Sequence, residues 1–353
     1  MTTPSRLSTK WMIILSSCSF LPFSIHAQSS EASFEVSCIG FYNVENLFDT
    51  LDTEDKYDEE FTPAGKNAWG TNRYQHKLDQ LGKVIADLGT QVHPQGLAIL
   101  GVAEVENIQA LEDLSKNRYL TERGYEVILE EGPDRRGIDV GMLYNPEHFK
   151  PTGWKSVTLN MADTSFRTRD QLVVSGLLDG SPIHVIVAHW PSRSGGQKRS
   201  EPNRMAAADL GRSIIDSLTK VSPGVPILYM GDLNDDPINK SLVRSMRATG
   251  DPKFVTSDRL YNPMYDMYNK GVGSLAWRDT WNLFDQIIMN DALLDEKNTG
   301  WRYHTTRVYN KPYLTTAEGN FKGYPFRTFA GGAWTAGYSD HFPVYVVLKR
   351  MLP

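Results

Sequence analysis

The chain has 353 residues, with 37 lysines and arginines against 42 aspartates and glutamates, a formal net charge of -5, and 40% hydrophobic residues. That length and apolar fraction suffice for one large buried core. The mildly acidic balance lacks the electrostatic mark of a strong nucleic-acid binder, which is a basic patch.

The first 27 residues carry Arg6 and Lys10 and then "WMIILSSCSFLPFSIHA", an apolar stretch closing on small residues. They read as a secretory signal cut after Ala27, too short and too polar to span a membrane. A lipid anchor at Cys18 is the weaker alternative, because the apolar region continues past it. Cleavage removes two cationic and no acidic residues, taking the charge from -5 to -7. Cys38 is then the one cysteine left, so no internal disulfide forms and stability must come from the core. Residues 28–353 contain no Pro/Ser-rich linker, low-complexity tract or internal repeat, and read as a single domain.

Along that domain, "FEVSCIGFYNV", "GLAILGVAEV", "YEVILEE", "DVGMLYN", "QLVVSGLL", "IHVIVAHW", "VPILYMGDL", "FDQIIM" and "FPVYVVLK" read as strands. Helical patterns cover Arg73 to Leu88, capped by Thr71 or Asn72 and ended by Gly89, then Ile108 to Ser115 and Asn203 to Leu218. Several successive strands have no helix between them, which argues against one doubly wound parallel sheet. A sandwich of two mixed sheets with helices outside fits the α/β pattern better.

The strand ends share a property. "FYNVEN", "GVAEVEN", "VAHWPSR", "YMGDLND", "LFDQII" and "YSDHFPV" each set Asn, Glu, His or Asp at or beside the edge of an apolar run. "NDDP" alone is good turn chemistry, and Asp235 and Asp236 read as turn residues. Six such ends, if the strands converge, form one polar crevice of Asn43, Glu45, Glu104, His189, Asp232, Asn234, Asp285, Asp340 and His341. An excess of oxygen donors with no cysteine suits a hard cation such as Mg²⁺ or Ca²⁺ rather than structural zinc. No G-x-S-x-G elbow, P-loop or H-E-x-x-H is present. Phosphoester hydrolysis by activated water remains, and it needs a metal, a carboxylate that deprotonates water and cationic donors for charge developing at phosphorus.

The ordered set "FYNVENLF", "GVAEVEN", "RRGIDVGMLY", "FRTRDQLVV", "AHWPSRSGG", "GDLNDDP", "FDQII" and "GYSDHFPV" resembles the endonuclease/exonuclease/phosphatase superfamily, the DNase I-like fold, over residues 34 to 349. The pattern is most similar to exported members from Bacteroidetes-type bacteria. The resemblance implies a four-layer α-β-β-α sandwich and a divalent-metal-dependent phosphodiesterase using Mg²⁺, with Mn²⁺ or Ca²⁺ as alternatives. Carried over, it makes Glu104 a metal ligand, with Glu45 and Asp340 as further ligands. Asn43 and Asn234 position phosphate and nucleophile, and Asp232 aligns or deprotonates the attacking water. His341 contacts the scissile phosphate and Asp285 orients it. His189 is a second histidine, with Asp139 as its expected partner. An Asp beside each imidazole would favour its cationic form. Arg136, Arg169 and Arg193 fall on blocks that hold phosphate in the family, against the plainer reading of each as an ion-paired arginine.

Two loops mix aromatics and cations: "FTPAGKNAWGTNRYQHK", with Lys66, Trp69, Arg73 and Lys77, and the segment Trp301 to Tyr338, with Phe326 and Arg327. Such groups bind nucleic acid or simply pack a long loop, and packing is expected for most of them. The acidic run from Asp49 reads as a solvated loop. The expected substrate is nucleic acid, and the expected state is an exported monomer, periplasmic or extracellular. A phospholipid, inositol phosphate or phosphorylated glycan is the alternative substrate, and a binding protein of the same fold that has lost catalysis is the alternative class.

Overall fold

A computed structural model describes residues 1, 2, 33–161, 163 and 165–352. The residues from Phe34 onward form one compact unit. The expected signal, its cut after Ala27 and Cys18 lie outside the described residues, which contain no helix long and apolar enough to cross a membrane.

In chain order the strands are β1 (Phe34–Leu47), β2 (Ile99–Val105), β3 (Glu126–Leu129), β4 (Asp139–Tyr144), β5 (Phe149–Val157), β6 (Gln171–Leu178), β7 (Ser181–His189), β8 (Ile227–Asp232), β9 (Ala248–Thr249), β10 (Leu260–Tyr261), β11 (Leu275–Trp277), β12 (Thr280–Asn282), β13 (Asp285–Met289), β14 (Arg302–Val308), β15 (Phe329–Ala330), β16 (Ala333–Trp334) and β17 (Val344–Met351). The helices are α1 (Thr71–Asp87), α2 (Ile108–Ser115), α3 (Gln197–Val221) and α4 (Met264–Asn269). One sheet runs β14-β17-β1-β2-β4-β3 and the other β5-β6-β7-β8-β13-β10-β9; β11-β12 and β15-β16 are separate two-stranded ribbons.

Each large sheet is mixed, with a parallel pair at its centre: β1 with β2, and β7 with β8. A parallel connection needs a crossover, and α1 supplies the first while α3 supplies the second. The layers follow from period-2 alternation. Ile39, Phe41, Ile99, Val185, Val187, Leu228 and Met230 pack between the sheets. Cys38, Tyr42, Leu100 and Val102, on the opposite face, pack with Leu81, Val84 and Leu88 of the α1 region. Ile186, Ala188 and Tyr229 pack with Ala207, Ala208 and Ile215 of α3. The architecture is therefore the expected α-β-β-α sandwich. Gly101 faces the second sheet, where a Cβ would meet Met230 Sδ at 2.8 Å and Val187 Cγ1 at 3.1 Å, so glycine lets the two sheets close.

One strand is added and two local expectations change. β5 contains Pro151 and Gly153 and lacks a clean apolar alternation; it holds because it is an edge strand pairing only with β6 and bulging between those two residues. Helix α3 begins at Gln197 rather than Asn203 and carries Pro202 inside. There Arg204 reaches back to the Gln197 and Ser192 carbonyls and to Ser200 Oγ, tying down a turn that the proline would otherwise loosen. The segment from Trp301 is not all loop, since β14 forms the edge of the first sheet against β17.

Candidate active site

The parallel pairs bring four strand ends to one edge, and strand alternation aims their last side chains inward. Asn43 follows Ile39 and Phe41 on the inner row of β1, His189 follows Val185 and Val187 on β7, and Asp232 follows Leu228 and Met230 on β8. Asp285 opens the antiparallel β13 directly opposite Asp232, and Asp340 and His341 precede β17, which runs antiparallel to β1. The two glutamates leave their ladders through bulges, with register shifts between Asn43 and Leu47 and between Ala103 and Val105. Glu45, Glu104 and Asn234 all take left-handed backbone, φ 50°, 66° and 50°. That conformation costs on the order of 1–3 kcal/mol per non-glycine residue and clusters at functional sites.

Asp232 is the hub. Asn43 Nδ2 donates to its Oδ2 at 3.1 Å and the Asn234 amide to its Oδ1 at 3.0 Å. His189 Nε2 lies 3.5 Å and His341 Nε2 3.8 Å from Oδ2. His341 Nδ1 donates to Asp285 Oδ2 at 2.6 Å, and Ser274 Oγ donates to the same oxygen. Burial pushes the Asp232 carboxyl up to about 7, with the His341 charge pulling the other way. Burial alone would lower His341, but the carboxylates of Asp285 and Asp232 hold it well above the usual histidine range. The pair therefore offers a carboxylate near neutrality beside a fixed imidazolium.

Next to this pair lies an acidic cluster. Glu45 is buried, accepts from the Thr328 amide at 2.7 Å, and faces Lys77 Nζ at 3.9 Å and Arg327 Nε at 3.5 Å. Burial, then the charge of Asp340, pushes it up to about 7 against Lys77 and Arg327. Arg327 Nη2 donates to Asp340 at 2.6 Å, and the Asn46 amide donates to Glu104 at 3.0 Å. Glu45 and Asp340 share the Arg327 guanidinium, and with Glu104 they offer only oxygen donors, the type that suits a hard divalent cation. Among the described residues, the acid-and-histidine trio whose ligand atoms lie within 4.8 Å of one another is Asp232, Asp285 and His341 rather than the three carboxylates. Their imidazole is held cationic, which disfavours an ion there.

Other sequence-derived assignments part from this geometry. Asp139 does not pair with His189: its carboxylate accepts from the Gly132 amide at 3.0 Å, and His189 Nδ1 is buried with no partner. Burial, then the charges of Arg169 and Arg136, lowers His189 well below the usual range, so this imidazole is neutral and not cationic. Arg193 is committed to structure, donating to the Asn234 carbonyl, Asp235, Asp236 and Asn239 while lying over the Phe284 ring. Asp235 and Asp236 are accordingly buried ion partners rather than simple turn residues. Arg169 is buried against Asp134 and the Trp190 carbonyl. Arg136 keeps an exposed guanidinium 3.9 Å from Glu104, at the rim of the site.

Ser274 and the true place of Lys77 escape sequence reasoning. Nothing in "GVGSLAW" marks Ser274 as the residue that supports Asp285. Lys77 had a signal, because it shares the apolar helix stripe of Leu81, Val84 and Leu88, where a charge needs a buried partner. It donates to Thr328 Oγ1 at 2.6 Å and the Tyr338 carbonyl at 2.7 Å, roofing the acidic cluster from behind.

The fold has solved counterparts. An endonuclease/exonuclease/phosphatase family protein from Bacteroides thetaiotaomicron superposes with TM-score 0.56 at 18% identity, covering 91% of this chain and 100% of its own. A mannosyl-6-phosphatase from the same species gives 0.53 at 17%, covering 88% and 99%. Truncated TDP2 from Caenorhabditis elegans gives 0.54 at 12%, covering 89% and 97%. No curated protein sequence matches significantly. A family model described as endonuclease/exonuclease/phosphatase matches residues 38–350, the span that carries both sheets and every residue of the crevice, and the chain belongs to that family.

Proposed function

We propose that the protein is a divalent-metal-dependent phosphodiesterase, an exported nuclease, in which activated water attacks phosphorus in line. The observation that carries this reading is Asp232, raised to about 7 and held between two imidazoles beside a three-carboxylate cluster. Glu45, Glu104 and Asp340 would hold the ion, which when bound neutralises phosphate oxygens and favours attack. Asp232, oriented by Asn43 and the Asn234 amide, takes the proton of the attacking water. The His341 imidazolium, fixed by Asp285 and Ser274, donates to a phosphate oxygen as charge develops. Neutral His189 supplies a hydrogen bond without added charge, and Arg136 offers a cation at the rim. No covalent enzyme intermediate is required. The reading of residues 1–27 as an export signal places the enzyme in the periplasm or outside the cell.

A phosphorylated sugar is the second reading, favoured by the acidic composition and by the likeness to a mannosyl-6-phosphatase. The test is hydrolysis of plasmid and single-stranded DNA, RNA, a chromogenic phosphodiester, a phosphomonoester, phospholipids and sugar or inositol phosphates, each with Mg²⁺, Mn²⁺, Ca²⁺ or EDTA. The expected outcome is metal-dependent cleavage of nucleic acid, abolished by EDTA while circular dichroism stays unchanged. Activity confined to sugar phosphates, or surviving EDTA, overturns it.

A further inference from the structure

The three carboxylates assigned to the ion are matched in charge by the chain itself. Lys77 faces Glu45 at 3.9 Å, Arg136 faces Glu104 at 3.9 Å, and Arg327 spans Glu45 at 3.5 Å and Asp340 at 2.6 Å. Three cations thus stand against three carboxylates, and a divalent ion seated among them adds two positive charges at close range. One of the three side chains has to give way.

They differ in what holds them. Lys77 is fully buried and donates to Thr328 Oγ1 and the Tyr338 carbonyl, so leaving would strand an ammonium in the interior. Arg136 reaches Glu104 only at a distance too long for a hydrogen bond. Arg327 donates to both Asp340 and Glu45, two of the three expected ligands, and its side chain is 42% exposed. Its backbone is pinned on either side. The Phe326 amide donates to the Leu314 carbonyl at 2.7 Å, the Tyr338 amide to the Phe326 carbonyl at 2.6 Å, and the Thr328 amide to Glu45 at 2.7 Å. Only the side chain is free to turn, and it lines a cleft of about 530 Å³ between the β11-β12 ribbon and the 316–335 segment. Among the described residues, the three carboxylates do not reach the 4.8 Å spacing of Asp232, Asp285 and His341, as fits a guanidinium shared by two of them.

We infer that Arg327 is a displaceable counter-ion: it holds Glu45 and Asp340 until a divalent cation takes their oxygens, then turns into the cleft and presents its guanidinium to the substrate phosphate. This deepens the reading above and rests on its three-carboxylate ion site. A planar guanidinium matches phosphate as it matches carboxylate, through two parallel N–H donors, so one group serves both partners. Ion binding and phosphate binding are thereby coupled through a single side chain, and the coupling is reciprocal.

The test is calorimetry on the full mature protein stripped of metal, with Mn²⁺ alone as titrant, so no turnover is read. Arg327→Ala should bind Mn²⁺ about fivefold or more tightly than wild type, the low end of coupling between two sites, because the carboxylate oxygens no longer have to be freed. Arg136→Ala removes the same charge without freeing a hydrogen-bonded oxygen and should gain less. Methylphosphonate, a phosphate-shaped anion that is not hydrolysed, is then titrated with and without Mn²⁺. Mn²⁺ should tighten its binding more in wild type than in Arg327→Ala, and an equal effect in the two overturns the phosphate contact. Circular dichroism reports folding, and Arg327→Met, which keeps the aliphatic stem, takes the place of the alanine variant if that one is unfolded. Unchanged or weaker Mn²⁺ binding in the folded variant, or an equal gain in Arg136→Ala, overturns the role of Arg327 alone. Wild type that binds no Mn²⁺ overturns the ion site and this role together.

Discussion

At the scale of single residues, Asp232 accepts from Asn43 and the Asn234 amide while facing two imidazoles, so every neighbour bears on when it gains or loses a proton. Asp232→Asn and His341→Ala are each expected to lower kcat by about 10²- to 10⁴-fold, the usual worth of a positioned acid or base. Near-wild-type turnover in either variant would remove that residue from the mechanism. Cys38 gives a simpler prediction. It is 1% exposed and burial pushes its thiol up to about 12, so it should resist iodoacetamide in the native protein and react only after denaturation. Labelling of folded protein, followed by mass spectrometry, checks this.

At the scale of elements, the "NDDP" turn after β8 is held by charge. Asp235 lies 2.8 Å from Arg204 Nε and 3.2 Å from Arg193 Nη2, and accepts from Ser241 Oγ at 2.7 Å. The Arg204 contact is poorly aligned for a hydrogen bond and acts through charge. Asp235→Ala leaves a fully buried guanidinium without its counter-ion and should cost about 3–5 kcal/mol, read as a lower urea midpoint. A change under 1 kcal/mol would show that Arg204 finds another partner. The same segment shows what sequence can and cannot tell. Asp232 and Asn234 were legible because an apolar run fixes the alternation that aims its last side chain, and Asp285 because a carboxylate in an apolar run demands a partner. The ion partners of Asp235 lie 31 and 42 residues back, on α3 and before it, and no local pattern reports them. Between the two readings the sequence leaves open for Arg193, the ion-paired one holds for that reason, and Asp139 parts from His189 because its pairing depends on how the 130–139 loop folds back onto β4. The bulges at Glu45 and Glu104 were equally silent, because a register shift belongs to the pair of strands rather than to either one.

At the scale of the molecule, buried acids set the response to pH. An unfolded aspartate releases its proton near 3.8, whereas burial holds folded Asp139 protonated up to about 7; Glu106 behaves alike, from 4.5 to about 7. In that window the unfolded chain binds fewer protons than the folded one, so the stability these groups contribute in acid is lost as pH rises toward 7. Asp139→Asn should flatten the slope and raise stability at pH 8 by on the order of 1–3 kcal/mol, measured by urea denaturation at pH 5 and pH 8. A parallel shift at both values would exclude titration as the cause.

The last long strand, β17, pairs with the first, Phe34 against Met351 through Phe41 against Val344, and Asp340 and His341 stand just before it. A growing chain therefore carries Asn43, Glu104 and Asp232 before it has its final histidine and the strand that seats it. Latency comes with the topology: a chain cut short before residue 340 forfeits two crevice residues and the closure of its first sheet at one stroke. Activity should thus appear abruptly with the completed fold, and loss of activity and global unfolding should share one midpoint.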